Sequence, residues 1–328
     1  MIRAGLARTP FTRATGTPAT TQTVDRRMGT LRMPKRLALL AATLALGACS
    51  LVSLGYGRLP DLTVWWLQRQ VSLDSTQTSQ VKQDMQAVMA WHRRTDLPEM
   101  VDMLQHWQRL VDQPLIAEQA CGEFDKVRTQ WTRLMAQSAP GMVTLAKTLT
   151  PAQRDELNTT QARSQQTFRQ TYLAADAGAS SNRLFINWTP SSPTANRLSN
   201  LKDRYARLYG ELNTQQVDAL RRSIDRSSFN PGRTLAERER RHQDLMTTLD
   251  AVNQAAHPAD AQRQVQAWVN RLSHSPTPGY AAYSQTLVRE ACEQFTHVHA
   301  SATPDQRLHA RRVLAGYEAD LRQLMVKP

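Results

Sequence analysis

The apolar residues of this chain recur at intervals of three and four, which is the spacing of one helical face. After Asp74, the series Val81, Met85, Val88 and Met89 predicts a helix of roughly five turns with one buried stripe. Leu97-Pro98 is expected to end it, because proline has no backbone N–H. Two further helices are predicted, one through Met100, Leu104, Trp107 and Val111, and one after Pro114 through Ala117, Ala120, Phe124, Val127, Trp131 and Leu134.

One device marks the start of a helix at four places. A capping residue is followed three positions later by glutamine, whose side chain can accept a hydrogen bond from the backbone N–H of the cap. In two copies proline stands first in the helix, where no N–H bond is lost. The four copies are Leu73-Asp74-Ser75-Thr76-Gln77, Leu149-Thr150-Pro151-Ala152-Gln153, Leu212-Asn213-Thr214-Gln215-Gln216 and Ala302-Thr303-Pro304-Asp305-Gln306.

The domain organisation is predicted from one polar stretch. Residues 176–199 are rich in Gly, Ser, Asn and Pro and are the expected loop or linker between a first helical half, 60–175, and a second, 200–328. Trp107 with Ala120-Cys121 is echoed by Trp268 with Ala291-Cys292, which indicates either an internal duplication or a chance match. Few glycines and aromatics favour helices over sheets. The predicted fold class is therefore all-α, an antiparallel multi-helix bundle of two halves that are related if the echo is a true duplication.

The longest apolar run, Leu37 to Ala48, follows Lys35 and Arg36. This order is typical of a secretion signal, and the run is shorter than the roughly 20 residues of a membrane-spanning helix. Its end, Leu46-Gly47-Ala48-Cys49, resembles the lipobox of bacterial lipoproteins, which implies lipidation of Cys49; the alternative is an ordinary signal peptide with a chance cysteine. Residues 1–48 are then a leader, with Met33 as the expected start or else Met28, and 49–59 a lipidated tether.

Removal of the leader changes the charge argument. The whole chain carries 41 Lys and Arg against 28 Asp and Glu, a net charge of +13. Without residues 1–48 the balance is 33 against 27, or +6, over 280 residues. This modest charge, in an exported protein, argues against a nucleic-acid partner. Ser50 after the lipidated cysteine implies the outer membrane of a Gram-negative bacterium, on its periplasmic face, with the lipid as the membrane attachment.

Two cysteines remain after Cys49, namely Cys121 and Cys292. An exported protein in an oxidising compartment normally pairs its cysteines, so a Cys121–Cys292 disulfide is predicted. Two buried free thiols on apolar helix faces are the alternative.

Chemistry beyond this is sparse. His297 and His299 are two apart on a predicted helix and cannot chelate one metal, and no catalytic motif is found, so we expect no metal, no cofactor and no enzyme. His92 is interpreted as a core histidine satisfied by a neighbouring carboxylate, with a catalytic base as the alternative. A cluster of arginines could contact an anionic surface such as lipid headgroups, or simply form solvated helix faces. Its members are Arg221, Arg222, Arg226, Arg233, Arg238, Arg240 and Arg241.

A resemblance adds to this interpretation. The chain resembles an uncharacterised family of proteobacterial lipoproteins, a domain of unknown function, which implies an all-helical periplasmic lipoprotein and no known activity. Gly57 departs from the Asn expected after the tyrosine. The residues that carry the resemblance are Tyr56, Leu59, Trp65-Trp66-Leu67, Val71, Leu73-Asp74-Ser75-Thr76-Gln77, Trp91-His92-Arg93-Arg94, Leu97-Pro98 and Tyr209-Gly210-Glu211-Leu212-Asn213-Thr214-Gln215-Gln216.

Two classes of function follow. The first is a membrane-anchored helical binding or scaffold protein for an envelope protein or lipid headgroups. The second is a chaperone-like or stress-sensing protein for unfolded clients, since the Leu-Thr-x-x-Gln spelling also looks like the motif of small periplasmic stress chaperones. Trp65 and Trp66 could sit at the membrane interface or pack into the bundle.

Overall fold

The computed structural model describes residues 50–173 and 193–326. Within them the chain forms eleven helices and no strand, so the predicted all-α multi-helix bundle is confirmed. The helices are α1 (Ser50–Gly57), α2 (Leu59–Gln68), α3 (Ser75–Leu110), α4 (Ala117–Thr148), α5 (Pro151–Tyr172), α6 (Pro193–Tyr209), α7 (Thr214–Asp225), α8 (Pro231–Gln254), α9 (Pro258–Ser273), α10 (Tyr280–Ala300) and α11 (Pro304–Val326).

Two prolines lie inside long helices. The predicted helix end at Leu97-Pro98 is wrong, because α3 continues through Pro98. The whole helix has 36 residues and is roughly 54 Å long. An interior proline costs a helix about 3 kcal/mol. Leu97 and Val101, on either side, are only 1% and 3% exposed. Burial of such side chains contributes about 1.5–3 kcal/mol each, enough to offset the proline. In the same way, α4 passes through Pro140 next to the buried Ala139.

The helices enclose two apolar cores. Core 1 is formed by the C-terminal half of α3 with α6, α7, α10 and α11. Core 2 is formed by the C-terminal half of α4 with α5, α8 and α9. Each core therefore takes helices from both sides of residues 176–199, and the packing does not divide at the predicted boundary. The predicted linker is already helical from Pro193, and residues 176–192 of it lie outside the described part of the chain.

All four predicted capping devices are present. The side chains of Asp74, Thr150 and Asn213 accept a hydrogen bond from the backbone N–H three residues on, and the glutamine there accepts one from the cap. Thr303 and Gln306 exchange the same two bonds at the start of α11, at 3.2 and 3.0 Å. Each bond satisfies a backbone donor that the first helical turn leaves free.

The glutamines of these devices also pair with one another. In one pair, Gln77 and Gln153 exchange amide hydrogen bonds of 3.0 and 2.7 Å, and Gln216 and Gln306 do the same at 2.9 and 3.0 Å. Spare amide hydrogens reach backbone carbonyls two residues before a cap, at Ser72, Thr148 and Glu211. The first pair thereby joins the start of α3 to that of α5, and the second joins the start of α7 to that of α11. In both pairs the bonded glutamine is the third residue after the cap.

The segment expected to be a tether is helical. α1 occupies residues 50–57, and its Val52 and Tyr56 pack against core 1. Tyr56 also donates a hydrogen bond of 3.2 Å to the carbonyl of Met89 on α3. Residues expected to form the tether therefore belong to the packed body, and Cys49 itself lies outside the described residues. Every buried residue of both cores lies between Val71 and Leu324, so residues 50–328 contain both cores.

Replacing the buried Gln216 tests the paired devices. In Gln216→Ala the N–H of Asn213 loses its acceptor and Gln306 loses its amide partner in a buried site. An unsatisfied buried polar group costs about 1–3 kcal/mol, so we expect the free energy of unfolding to fall by about 2–3 kcal/mol in urea titration. The neighbouring Gln215 is exposed, and Gln215→Ala should change it by less than about 0.5 kcal/mol. Equal effects of the two variants would contradict a role for the pair.

Candidate apolar binding site

A cavity of about 680 Å³ opens beside core 1. Its walls are almost entirely apolar and come from five helices, with Trp107 of α3, Phe124 of α4, Leu208 of α6, Phe295 of α10 and Tyr317 of α11 among the lining residues. Well-packed protein interiors leave few voids larger than a water molecule. A space of this size therefore calls for a physical cause and for a candidate occupant.

The cause lies in the first half of α4. The predicted apolar stripe is present there, but Phe124 is 48% exposed, Val127 43% and Trp131 55%. The buried residues of α4 are Ala139 and Ala146, both in its second half. Within the described part of the chain, the neighbouring helices leave this stripe about half exposed, and Phe124 and Val127 line the cavity. The periodicity predicted this helix and its apolar face correctly, and the structure leaves that face about half exposed.

A sulfur–sulfur contact holds this part of α4 in place. The Sγ atoms of Cys121 and Cys292 lie 2.08 Å apart, with their Cα atoms at 5.5 Å, which is disulfide geometry. The bond links α4 to α10 across 171 residues of sequence, and Cys292 lines the cavity. It therefore fixes one wall of the cavity where apolar packing does not.

A polar cluster supports the same wall. Glu123 on α4 accepts a hydrogen bond of 2.8 Å from the indole N–H of Trp107 on α3, and Lys126 and His106 lie 2.8 and 3.2 Å from its carboxylate. Burial disfavours the charged form of Glu123, but these donors outweigh it and lower its pKa. The carboxylate is therefore a fixed anion that holds the cavity-lining indole.

At the inner end of the cavity lies a buried tyrosine–histidine pair. Tyr209 Oη is 2.8 Å from His299 Nδ1, and His299 Nε2 is 2.8 Å from the carbonyl of Gln113. A guanidinium nitrogen of Arg307 also lies 3.2 Å from His299 Nε2. Burial lowers the pKa of His299 and raises the pKa of Tyr209, so both stay neutral near pH 7. The pair is a structural crosslink with both ring nitrogens occupied.

One cation of the wall remains available. Arg204 on α6 is exposed and lines the cavity, so its side chain lies at the opening. Among the described residues it makes no ion pair, whereas the wall's carboxylate, Glu123, is paired. The cavity thus combines apolar walls with one free positive charge at its rim.

The seven predicted arginines lie in different surroundings, and their contact with an anionic surface stays a prediction. Arg240 and Arg241 bind the buried Glu237, and Arg221 binds Asp218 at 3.3 Å. Arg233 and Arg238 lie over the rings of Tyr283 and Phe168. Arg222 and Arg226 are exposed. Of the seven, Arg240 and Arg241 bind a buried carboxylate and the other five are exposed, as on solvated helix faces.

Glu237 organises its neighbourhood on α8. Its side chain is only 2% exposed and accepts hydrogen bonds from Arg240, Arg241, Ser275 and Thr277, the last two on the connection between α9 and α10. Burial opposes the charge on this carboxylate, but the four donors outweigh it and lower its pKa to about 2. This cluster fixes the segment that leads into the cavity-lining α10.

The histidines that the sequence singled out differ in their surroundings. His92 is half-buried, and its hydrogen-bond partner is Tyr56 Oη at 3.1 Å where a carboxylate was expected. The buried Asp96 pairs instead with Arg133 at 3.0 Å. His297 is exposed and His299 is buried, as their opposite faces require. Among the residues that the structure describes, no group of His, Cys, Asp and Glu could hold a metal ion, and no helix is long and apolar enough to span a membrane.

The sequence also matches a known family. Residues 69–269 match the family of unknown function DUF6279, and the chain belongs to this family. The match runs from the segment before α3 into α9, so it includes the first three capping devices and ends before Cys292. No curated protein and no solved structure matches the chain. The predicted resemblance to an uncharacterised domain is confirmed, and the lipoprotein signal stays a prediction.

The low pKa of Glu237 predicts how stability depends on pH. Because its pKa is about 2 in the folded protein against an ordinary 4.5, its contribution is complete above pH 4.5 and is lost as the pH falls toward 2. In Glu237→Gln we expect the free energy of unfolding at pH 7 to fall by on the order of 2–3 kcal/mol, with the difference from the unmodified protein shrinking on acidification. Urea titrations between pH 7 and pH 2 measure this.

A nearby carboxylate gives the control. Glu239, two residues on, pairs with Arg169 at 2.7 Å on the surface. A surface pair contributes about 0–1 kcal/mol, so Glu239→Gln should have a small effect. A constant difference between Glu237→Gln and the unmodified protein at every pH would contradict the assignment.

Proposed function

We propose that this member of the DUF6279 family is a lipid-anchored binding protein of the bacterial cell envelope, whose cavity takes up the acyl chain of an amphipathic ligand. The observation that carries the proposal is the open apolar cavity of about 680 Å³. Sites for small ligands typically have volumes of about 300–1,000 Å³, with apolar walls and a few placed polar groups. The cavity fits this description in both size and chemistry.

The polar groups of the wall indicate the class of ligand. The apolar walls offer little to a sugar, a nucleotide or a peptide backbone, because their polar atoms would lose hydrogen bonds to water. Arg204, the free cation at the opening, suits an anionic headgroup such as a carboxylate or phosphate. A chain that is apolar along its length and anionic at one end satisfies both parts of the site.

Lipid anchoring supports the same function. Lipidation of Cys49 would attach the protein to the periplasmic face of the outer membrane, and α1 begins at the next residue. Since α1 packs against core 1, the lipid would hold the body close to the bilayer. A binding protein for acyl chains would then be next to a membrane that supplies them.

A second function is favoured by the exposed stripe on α4. Phe124, Val127 and Trp131 form an open apolar strip that could hold unfolded client segments. The predicted likeness of the capping devices to the motif of periplasmic stress chaperones points the same way. Capping and glutamine pairing explain those devices structurally, so the stripe is the observation on which this alternative depends.

A fluorescent fatty acid tests the cavity. We expect residues 50–328 to bind cis-parinaric acid with an increase in its fluorescence. Ala291 on α10 lines the cavity and is exposed, so Ala291→Phe should fill the space and weaken binding roughly tenfold, a difference of about 1.4 kcal/mol. Ala282 lies on the opposite side of the same helix and away from the cavity, and Ala282→Phe should bind normally. Equal binding by the two variants would rule the cavity out.

Two further comparisons separate the ligand's parts and the alternative function. Arg204→Gln should weaken binding of the acid and leave binding of its uncharged methyl ester unchanged. If the protein is a chaperone, it should suppress aggregation of unrelated unfolded proteins, and Trp131→Ser should reduce that effect without changing binding of the fatty acid. Suppression of aggregation with no binding of the probe would favour the second function.

Lipidation has its own test. In a bacterium fed a labelled fatty acid, the protein should carry the label and Cys49→Ser should abolish it. The Cys49→Ser precursor should also stay uncut by the lipoprotein peptidase and migrate more slowly on a gel. Cleavage of this variant at the same position would instead indicate an ordinary signal peptide.

A further inference from the structure

The exposed side of α2 has an unusual composition. Leu62 is 47% exposed, and Trp65 and Trp66 are each 56% exposed. The other side of the helix, with Pro60 and Val64, is buried. Surface helices usually bury their apolar stripe and expose polar residues. Here the largest apolar side chains point into solvent, which corrects the expectation that at least one tryptophan packs into the bundle.

Two arginines complete this surface. Arg58 and Arg69 lie four residues before Leu62 and four residues after Trp65, so they share its side of the helix. The guanidinium of Arg69 lies over the indole of Trp65, 5.0 Å from the ring centroid, and the side chain of Arg58 is 70% exposed. We call Arg58, Leu62, Trp65, Trp66 and Arg69 the α2 face.

The charge near this face is positive. Asp61 is the acidic residue of α2, and Lys82 of α3 binds it at 2.8 Å. Arg58 approaches the same carboxylate only at 3.7 Å, which leaves most of its hydrogen-bonding capacity free. The face therefore presents two cations beside three apolar side chains, and Asp61, the anion of the same helix, is paired with Lys82.

The area of the face argues against a protein partner. At about 150–250 Å² for a whole aromatic side chain, the exposed parts of two tryptophans and one leucine amount to roughly 350 Å². A stable protein interface needs about 800 Å² on each side. The surface of a bilayer has no such minimum, because even a few residues can insert between the headgroups.

We propose that the α2 face is a membrane-docking surface that lies in the headgroup region of an anionic bilayer. Tryptophan is enriched at this depth because its ring is apolar with one polar end, and arginine can bury its stem while its charge stays among the phosphates. α2 then lies in the plane of the membrane. Such an attachment is weak by itself and becomes stable when a second signal, such as a covalent lipid, is added. The inference goes beyond the proposed function, since it needs neither the cavity nor Cys49.

Vesicle sedimentation tests the proposal with residues 50–328, which carry both cores and lack Cys49. The protein should bind phosphatidylcholine vesicles that contain phosphatidylglycerol, and bind vesicles of phosphatidylcholine alone more weakly. The double variant Trp65→Ser/Trp66→Ser should reduce the partition coefficient roughly tenfold on both kinds of vesicle. Arg58→Gln/Arg69→Gln should remove the preference for the anionic vesicles. Both variants change exposed residues, and circular dichroism checks that they fold.

Trp131 provides a matched control. It is 55% exposed on α4, almost the same as Trp65, and outside the α2 face. Trp131→Ser should bind vesicles like the unmodified protein. The proposal is overturned if Trp131→Ser loses as much binding as the double tryptophan variant, or if that double variant binds vesicles normally. It is also overturned if the protein forms dimers that the double variant abolishes while vesicles bind neither protein, which would make a second copy the occupant.

Discussion

The fold depends on two pairs of glutamines that cap helices and bind each other. Each glutamine accepts a hydrogen bond from the backbone of its own cap and another from the amide of its partner. Leaving a buried amide without a partner destabilises the fold by more than one such hydrogen bond stabilises it. The arrangement is therefore stable only when all its members are in place. Gln77 with Gln153 sets the start of α3 against that of α5, and Gln216 with Gln306 does the same for α7 and α11.

These junctions explain why the two cores interleave. α3 begins at the first pair, and its far end lies in core 1, which the second pair borders. α4 returns along the molecule and places its second half in core 2. The first half of α4 is left without a core, and Cys121–Cys292 together with Glu123 holds it against its neighbours. The cavity is the space that results where crosslinks take the place of packing.

Local patterns in the sequence predicted the local structure well. The all-α class and the four helix starts follow from periodicity and capping, because the partners of each bond lie within four residues. Apart from the pairing of Cys121 with Cys292, which follows from the number of cysteines and the expected compartment, features that depend on distant residues could not be predicted. Periodicity cannot show that the burial of Leu97 and Val101 offsets the helix-breaking effect of Pro98. It also cannot show that Gln77 binds Gln153, or that the apolar stripe of α4 stays about half exposed. The candidate site belongs to this second group, since an exposed apolar stripe and a buried one have the same pattern of residues in the sequence.

The two exposed aromatic surfaces differ in the charges around them, and this difference is the basis on which different partners are proposed for them. On α4, Glu123 pairs with Lys126 and Asp125 pairs with Arg128, so the stripe lies between neutralised charges and continues into a cavity. On α2, the guanidinium of Arg69 lies over the ring of Trp65 and makes no ion pair among the described residues. An anionic bilayer attracts the second surface by charge and offers no comparable attraction to the first. An acyl chain, which needs an enclosed apolar space, fits the cavity into which the first surface continues.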